Sequence, residues 1–124
     1  MYCRGIRGAT SVEENSAAAI VTATRELLER IVALNELRVD DVASVAFTVT
    51  PDLDAAYPAR AAHEMRWVNT PLSCLQEMAV VGGLPRCIRV LVLWNTDQRP
   101  DRIQHVYLRR ATALRPDLAK EEMI

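Results

Sequence analysis

The stretch CIRVLVLW, residues Cys87 to Trp94, decides the fold, because seven of its eight residues are apolar or carry a thiol, as in a buried strand. Strand side chains alternate between the two faces of a sheet. One face of this strand would carry Ile88, Val90, Val92 and Trp94. The other would carry Cys87, Arg89, Leu91 and Leu93. The strand therefore places one permanent cation, Arg89, among apolar neighbours.

Arg89 has two interpretations. A buried guanidinium is costly unless an anion lies beside it. That anion could belong to the protein, for example Glu77 or an aspartate, in which case Arg89 forms a structural ion pair. It could also belong to a ligand that is absent until it binds. The strand alone leaves both interpretations open.

The rest of the chain predicts the other elements of one small domain. Further strands are expected at about 2–7, 42–50 and 103–114, with the Arg89 strand at 87–95. A long amphipathic helix is expected at about 17–35, and a short helix near Pro58. Ser11, which forms a capping box with Glu14, and Ser16 are alternative caps for the long helix. A tail that frays is expected from about residue 116.

This order of elements predicts the α+β class, as a single domain over residues 1–124 with a mixed β-sheet. The one long helix lies on one face of that sheet, and the short helix is added to it. A single long helix covers only one face, so the second face needs a partner. Self-association is the simplest source of that partner.

Composition excludes several functional classes. The net charge of −1 gives no electrostatic basis for binding nucleic acid or an anionic membrane. We expect no signal peptide and no membrane helix, since no apolar stretch is long enough. The three cysteines are odd in number and lack C-x-x-C spacing, which argues against disulfides and structural zinc and favours a reducing cytoplasm.

The sequence contains no familiar catalytic motif. It has neither G-x-S-x-G nor H-E-x-x-H, and its two histidines, His63 and His105, are far apart, so no metal site is predicted. Cys74 with a distant histidine has no local signature of a thiol enzyme. Gly82-Gly83 is not followed by the Lys-Ser or Lys-Thr of a phosphate-binding loop.

A second strand arginine favours a ligand for Arg89. Arg7 ends the first predicted strand, and Tyr107 lies in the last one. Two guanidinium forks suit a ligand with more than one oxygen anion. Taken alone, Tyr107 would be a core aromatic residue with a solvated tip, and Glu77 a solvated loop acid.

Five blocks of the sequence resemble one known family. They are RGIRGAT (4–10), TPDLDAAYPARAA (50–62), CLQEM (74–78), GGLPRCIRV (82–90) and HVYL with LRPDL (105–118). In this order, and over nearly the whole chain, they are similar to the monofunctional chorismate mutases of the trimeric α/β type, which are unrelated in fold to the all-helical type.

The resemblance implies a homotrimer with a pseudo-barrel core of sheets and active sites in clefts between subunits. It implies the intramolecular [3,3] (Claisen) rearrangement of chorismate to prephenate, on the route to phenylalanine and tyrosine. This reaction uses no cofactor and no metal. The enzyme works by electrostatic stabilisation and conformational selection, so chorismate and prephenate would be its small-molecule partners.

The resemblance also implies roles for individual residues. Arg7 and Tyr107 would hold the carboxylates, Arg89 would donate to the ether oxygen, and Glu77 with the Cys74 thiol would meet the ring hydroxyl. Arg89, Glu77 and Arg7 form the expected catalytic set. The pocket lining would comprise Ser73, Cys74, Leu75, Gln76 and Glu77. The wall from the adjacent chain would comprise Tyr57, Ala59, Arg60, His63, Leu114 and Arg115.

The chain departs from the family pattern at three of these positions. His63 stands where a relative has arginine, Tyr57 where it has phenylalanine, and Ser73 where it has threonine. Three alternative functions would also suit a trimer with an interfacial arginine. They are an imine-hydrolysing deaminase, a carboxylate-sensing module, and a purely structural trimer in which Arg89 pairs with Glu77.

Overall fold

The computed structural model describes residues 1–116, which form a mixed five-stranded sheet. The strands are β1 (Tyr2–Ser11), β2 (Val42–Val49), β3 (Leu72–Gln76), β4 (Cys87–Thr96) and β5 (Val106–Tyr107). Their spatial order is β3-β2-β4-β1-β5. The central strand β4 is antiparallel to β1 and β2, while the edge strands β3 and β5 run parallel to β2 and β1.

Two helices complete the domain, α1 (Ala17–Asn35) and α2 (Ala59–Glu64). Helix α1 contacts β1, β5 and α2, and α2 also contacts β3. The predicted α+β class, with one long helix on one face of a mixed sheet and a short helix beside it, is confirmed.

The strand that contains Arg89 has the predicted alternation. On its helix-facing side Ile88, Val90, Val92 and Trp94 are buried. Val90, Val92 and Trp94 join residues of α1 and β2 in one hydrophobic cluster, namely Leu27, Leu28, Ile31 and Phe47. Ile88 packs in a second cluster with Ile20 and Ala23 of α1. On its opposite side Leu91 is 42% exposed. One face of the sheet is therefore closed by α1 and the other is partly open.

Gly8 allows α1 to approach the sheet closely. A methyl group placed on Gly8 would lie 2.9 Å from Val90 Cγ1 and 3.0 Å from Ile31 Cδ1, inside normal contact distance. The small size of Gly8 therefore lets the core face of α1 lie close to the β1 backbone.

The structure also distinguishes between the two candidate caps of α1. Ser16 is the N-cap, and its Oγ accepts the Ala19 N–H at 3.1 Å. Ser11 is the last residue of β1, where its Oγ accepts the Arg110 N–H at 3.2 Å. The helix ends at Glu36, which adopts the left-handed conformation with φ 51°.

The final strand is much shorter than predicted. Alternation over 103–114 favoured a long strand, yet β5 has two residues and a 3₁₀ turn follows at Arg109–Ala113. Arg109 has φ 54°, which turns the chain away from the sheet after the Leu108 N–H has bonded to the Ala9 carbonyl. In contrast, β1 extends beyond its predicted end to Ser11, because it pairs with β4 along its whole length.

Two further expectations concern the chain as a whole. The tail expected from about residue 116 lies, after Pro116, outside the described residues. Within residues 1–116, no helix has the length and apolarity needed to cross a membrane.

Candidate active site

A row of directly paired residues crosses all five strands on the open face of the sheet. Strand pairing sets Leu75 of β3 beside Thr48, Thr48 beside Arg89, Arg89 beside Ala9, and Ala9 beside Tyr107. Directly paired residues point to the same face of a sheet. The register therefore brings Arg89 and Tyr107 to the same face, separated only by the small side chain of Ala9.

Arg7 lies on the same face, one row away. It pairs with Leu91, two residues along β4 from Arg89, and is exposed. Two arginines and a tyrosine from three adjacent strands thus converge on the open face. The sequence argument expected this grouping of Arg7, Arg89 and Tyr107.

Arg89 is paired within the chain. Its Nε donates to Glu77 Oε1 at 2.6 Å, and the side chains are 41% and 17% exposed respectively. The Glu77 backbone N–H donates to the Val49 carbonyl at 2.7 Å, which fixes the residue at the end of β3. Burial disfavours the charge on Arg89, but the hydrogen bond and charge of Glu77 raise the Arg89 pKa above its ordinary value.

The surroundings of Arg89 differ in one respect from the sequence expectation and agree with it in another. Arg89 is not enclosed by apolar side chains within one chain, since the face it occupies is partly open. The structural ion pair with Glu77 is present. The pair uses only Nε, so the two terminal nitrogens of the guanidinium take no part in it. The ion pair and a ligand-binding role are therefore compatible.

A small cluster of buried residues lies beside Arg89 and Arg7. Ala9, Cys87, Tyr107 and Ala111 are buried together, and Leu114 packs against them. Burial raises the pKa of the Cys87 thiol to about 11, so that thiol is neutral at physiological pH. Leu114, which the resemblance assigns to the wall from the adjacent chain, packs against this cluster in its own chain. Its place in a site between subunits stays a prediction.

A second group of expected site residues lines a cavity of about 490 Å³ elsewhere on the chain. Tyr57, Cys74, Leu75 and Gln76 are among its lining residues. Burial raises the pKa of the Cys74 thiol, while a hydrogen bond with the Ala59 backbone opposes that rise. Tyr57 is 75% exposed in the single chain.

The remaining expected residues fall around these two groups. On α2, Arg60 pairs with Glu64 at 3.4 Å and His63 is exposed. Ser73 pairs with Ala46 on the open face, whereas Cys74 packs toward the helix-covered core. A single continuous lining from Ser73 to Glu77 is therefore not what one chain shows, because strand alternation sends neighbouring side chains to opposite faces.

His105 lies against the backbone of Arg7, and it was not among the site residues predicted from the sequence. Its Nδ1 accepts the Arg7 backbone N–H at 2.9 Å. Burial lowers the pKa of His105, and the nearby charges of Arg7 and Arg115 lower it further. The sequence suggested for a histidine only the roles of metal ligand or partner of the Cys74 thiol, and supported neither. Within residues 1–116, no cluster of three or more histidine, cysteine or acidic side chains is arranged to hold a metal ion.

Comparison with known proteins identifies the family. The family model for type I chorismate mutase matches residues 3–118. The chorismate mutase AroH of Bacillus subtilis (strain 168) is 46% identical over 120 residues, covering 96% of this chain and 94% of that protein. The AroH chorismate mutase of Thermus thermophilus is 53% identical over 116 residues, covering 93% and 95%.

A solved structure agrees with these relatives. The chorismate mutase from Clostridium thermocellum superposes with a TM-score of 0.88 at 48% identity, covering 89% of this chain and 98% of that one. The chain therefore belongs to the type I chorismate mutase family, and its activity is that of an isomerase, chorismate mutase.

Proposed function

We propose that this chorismate mutase converts chorismate to prephenate in a site centred on Arg89. The rearrangement breaks one carbon–oxygen bond and forms one carbon–carbon bond within a single molecule, so atoms and electrons balance without any co-reactant. The reaction needs no proton transfer and no nucleophile. The protein then has two tasks, to select a compact substrate shape and to stabilise the charge that separates in the transition state.

Arg89 is suited to the second task. Negative charge grows on the ether oxygen as the carbon–oxygen bond breaks, and a fixed cation beside that oxygen stabilises it without reorganisation. The observation that carries the proposal is that Glu77 holds Arg89 by Nε alone, 2.6 Å away, on the central strand. The terminal nitrogens of the guanidinium can then reach the ether oxygen and one carboxylate oxygen.

Arg7 and Tyr107 are suited to the first task. Chorismate is a dianion, and its carboxylates must be held in a compact diaxial shape for the reacting carbons to meet. Register places Arg7 and Tyr107 on the same face as Arg89. The guanidinium fork of Arg7 and the phenol of Tyr107 would bind the carboxylates in the ground state as well as in the transition state.

Glu77 and Cys74 would act on the ring side of the substrate. The Glu77 carboxylate complements the positive charge that grows on the ring fragment, and it orients the ring hydroxyl. Cys74 remains a neutral thiol, because burial raises its pKa. It is therefore a hydrogen-bonding group of the cavity rather than a nucleophile.

We also propose that the working site forms between subunits of a homotrimer whose sheets pack into a pseudo-barrel. Leu91 and Leu75 are 42% and 52% exposed on the open face, and Val81 in the following loop is fully exposed. An apolar surface of this kind favours burial against another copy of the chain. We call Arg7, Arg89 and Tyr107 the arginine group. The arginine group of one chain would then face the cavity around Tyr57 and Cys74 of its neighbour. The rim of that cavity would carry Ala59, Arg60 and His63.

The cellular setting follows from the activity and the thiols. Prephenate formation places the enzyme in the biosynthesis of phenylalanine and tyrosine. Cys3, Cys74 and Cys87 are all free thiols. Free thiols of this kind support a reducing cytoplasm as the compartment in which the enzyme works.

The test is the loss of chorismate absorbance with Arg89→Ala as the variant. We expect the variant to fold and trimerise, because Arg89 lies on the partly open face, and to lose at least about 10³-fold in kcat. A kcat within tenfold of wild type would remove Arg89 from the mechanism. Calorimetry with prephenate distinguishes the alternative of a sensor, which would bind the ligand without turning chorismate over.

A further inference from the structure

His105 occupies a specific place in the sheet, directly before β5. The ladder between β1 and β5 pairs Gly8 with Val106 and Ala9 with Tyr107. One step earlier, the Arg7 N–H bonds to the imidazole Nδ1 of His105 at 2.9 Å instead of to a backbone carbonyl. The imidazole of His105 therefore accepts the hydrogen bond that a backbone carbonyl would accept in a regular sheet, and it does so from Arg7 itself.

We propose that His105 is a positioning residue for Arg7, holding the β1 backbone through its neutral imidazole so that the Arg7 side chain is presented to the substrate carboxylate. This proposal rests on the substrate-binding role proposed above for Arg7. His105 need not touch the substrate in order to act. Its contribution is to fix the backbone of a residue that does.

The residues directly before and after His105 are both held in place by hydrogen bonds of their backbones. Before it, Asn35 at the end of α1 accepts the Gln104 N–H and donates to the Gln104 carbonyl, each at 2.9 Å. After it, Val106 is paired with Gly8 of β1. The long helix and the sheet thus hold the imidazole against the Arg7 N–H, which is the arrangement expected of a positioning group.

The surrounding charges favour the neutral imidazole. Arg7 from β1 and Arg115 from the segment after the 3₁₀ turn are the charged groups that act on the ring, and both are cations. Together with partial burial, they lower the pKa of His105 below its ordinary value of 6.5. Protonation would turn the Nδ1 acceptor into a donor facing another donor, so the hydrogen bond to Arg7 would be lost.

The consequence is a pH dependence of substrate binding. The imidazole is neutral, and the bond to Arg7 intact, at pH values above the lowered pKa of His105. As pH falls through that pKa, Arg7 loses its backbone support, and KM should rise while kcat changes little. Carboxylic acids have pKa values near 4, so chorismate carboxylates are ionised well above that pH. The variant His105→Asn, which does not titrate at this position, shows how much of a rise in KM at acid pH comes from the substrate itself.

Two amides provide the matched test. His105→Asn keeps an acceptor oxygen close to the position of Nδ1 but does not titrate, whereas His105→Gln places its amide farther out, near the position of Nε2. At pH 7.5 we expect His105→Gln to raise KM for chorismate about threefold to tenfold, the size of one hydrogen bond, with kcat nearly unchanged. His105→Asn should keep a KM near wild type and lose the rise in KM at acid pH.

Hydrogen exchange of the Arg7 amide gives a readout that does not depend on activity. The amide should exchange faster in His105→Gln than in wild type, and His105→Asn should restore the protection. Equal KM values for wild type and His105→Gln would overturn the proposal. An equal rise in KM in His105→Gln and His105→Asn would also overturn it, because the position of the acceptor atom would then have no effect. A wild-type KM that does not change as the pH is lowered would overturn it as well. An unchanged KM in Arg7→Ala would instead overturn the substrate role of Arg7, while amide exchange would still report the hydrogen bond.

Discussion

Arg89 Nε lies 2.6 Å from Glu77 Oε1, so the central cation of the site has an internal anion before any substrate arrives. Glu77 is the more buried partner, at 17% exposure against 41% for Arg89. Glu77 is therefore the more firmly held partner, and it fixes the position of the Arg89 guanidinium. A charge-assisted hydrogen bond of this kind restricts the orientation of the guanidinium, and it leaves the two terminal nitrogens out of the pair.

This arrangement reconciles the two interpretations of Arg89. An internal partner that occupied the whole guanidinium fork would leave nothing for a ligand. A partner at Nε alone reduces the cost of partial burial and still leaves two nitrogens for substrate oxygens. A structural alternative without ligand binding makes a different prediction, that prephenate does not raise the melting temperature. We expect prephenate to raise it, since a ligand that binds only the folded state stabilises that state.

Glu77→Gln tests the catalytic contribution of the ion pair. The amide oxygen can still accept from Arg89 Nε, but the negative charge that complements the ring fragment is lost. We expect kcat to fall about tenfold to a hundredfold with little change in melting temperature, measured at saturating chorismate. Glu29→Gln is the matched control, because Glu29 forms an exposed pair with Arg25 on the outer face of α1. A kcat within twofold of wild type for Glu77→Gln would show that Glu77 serves only the fold.

Arg7→Ala should raise KM strongly and lower kcat less. Arg7 is proposed to bind a carboxylate that carries the same charge in the ground state and in the transition state, so its removal weakens both states alike. Arg4→Ala is the matched control on the same strand, because the Arg4 guanidinium stacks over Tyr2, 4.6 Å from the ring centroid, and bonds to the Gln98 carbonyl. Steady-state kinetics in which Arg7→Ala and Arg4→Ala have equal KM values would contradict the role of Arg7.

Asp52 should make a pH-dependent contribution to stability. Burial raises the pKa of Asp52, but hydrogen bonds from Thr50 and the Arg86 backbone, together with the Arg86 charge, outweigh burial and hold that pKa below its ordinary value of 3.8. A carboxyl group with a lowered folded-state pKa stabilises the fold above its unfolded pKa, and that stabilisation is lost as pH falls through the folded-state value.

The variant Asp52→Asn measures this contribution. Thr50 Oγ also accepts the Cys87 N–H at 3.0 Å, so the network holds the start of β4, two residues before Arg89. We expect Asp52→Asn to be less stable than wild type to urea at pH 7, with a difference that shrinks at pH values below 3.8. Asp40→Asn, at an exposed position in the 3₁₀ turn Val39–Asp41 before β2, controls for the loss of a negative charge. A stability difference that is independent of pH would contradict the linkage.

The fold was largely predictable because its main elements have strong periodicity. Alternation in 87–95 identified the central strand, and the helical period identified α1 at Ala17–Asn35, the bounds that the structure has. The last strand was not predictable, since its alternation continues through Arg109, where a left-handed residue ends pairing. Such a turn depends on tertiary contacts that periodicity does not encode, namely the bond from the Leu108 N–H to the Ala9 carbonyl and the packing of Ala111 beside Ala9 and Tyr107.

The residues of the candidate site could be chosen from the sequence, but their geometry could not. Arg89 and Arg7 stood out as cations in apolar strands, and the structure places them on one face. The Arg89–Glu77 pair remained one of two alternatives until the side chains were placed. His105 was missed because its function depends on a backbone N–H in a distant strand, and a backbone donor leaves no mark on the sequence.

Mixing two inactive variants tests whether the site is shared between subunits. Arg89→Ala damages the arginine group, and Tyr57→Asp places an anion in the cavity that should repel the dianionic substrate. If the two groups meet across subunits, each repaired site needs Arg89 from one variant and Tyr57 from the other. An equimolar random mixture should then recover roughly one quarter of wild-type activity after unfolding and refolding together.

The matched control mixes Arg89→Ala with Glu77→Ala. Arg89 and Glu77 lie 2.6 Å apart in the same chain, so every site in that mixture keeps one of the two defects. It should stay inactive whatever the oligomeric state. Recovery in the first mixture and not in the second would support a shared site, with sedimentation confirming the trimer. Inactivity of both mixtures, with each variant folded, would mean that the arginine group and the cavity do not meet between copies of the chain.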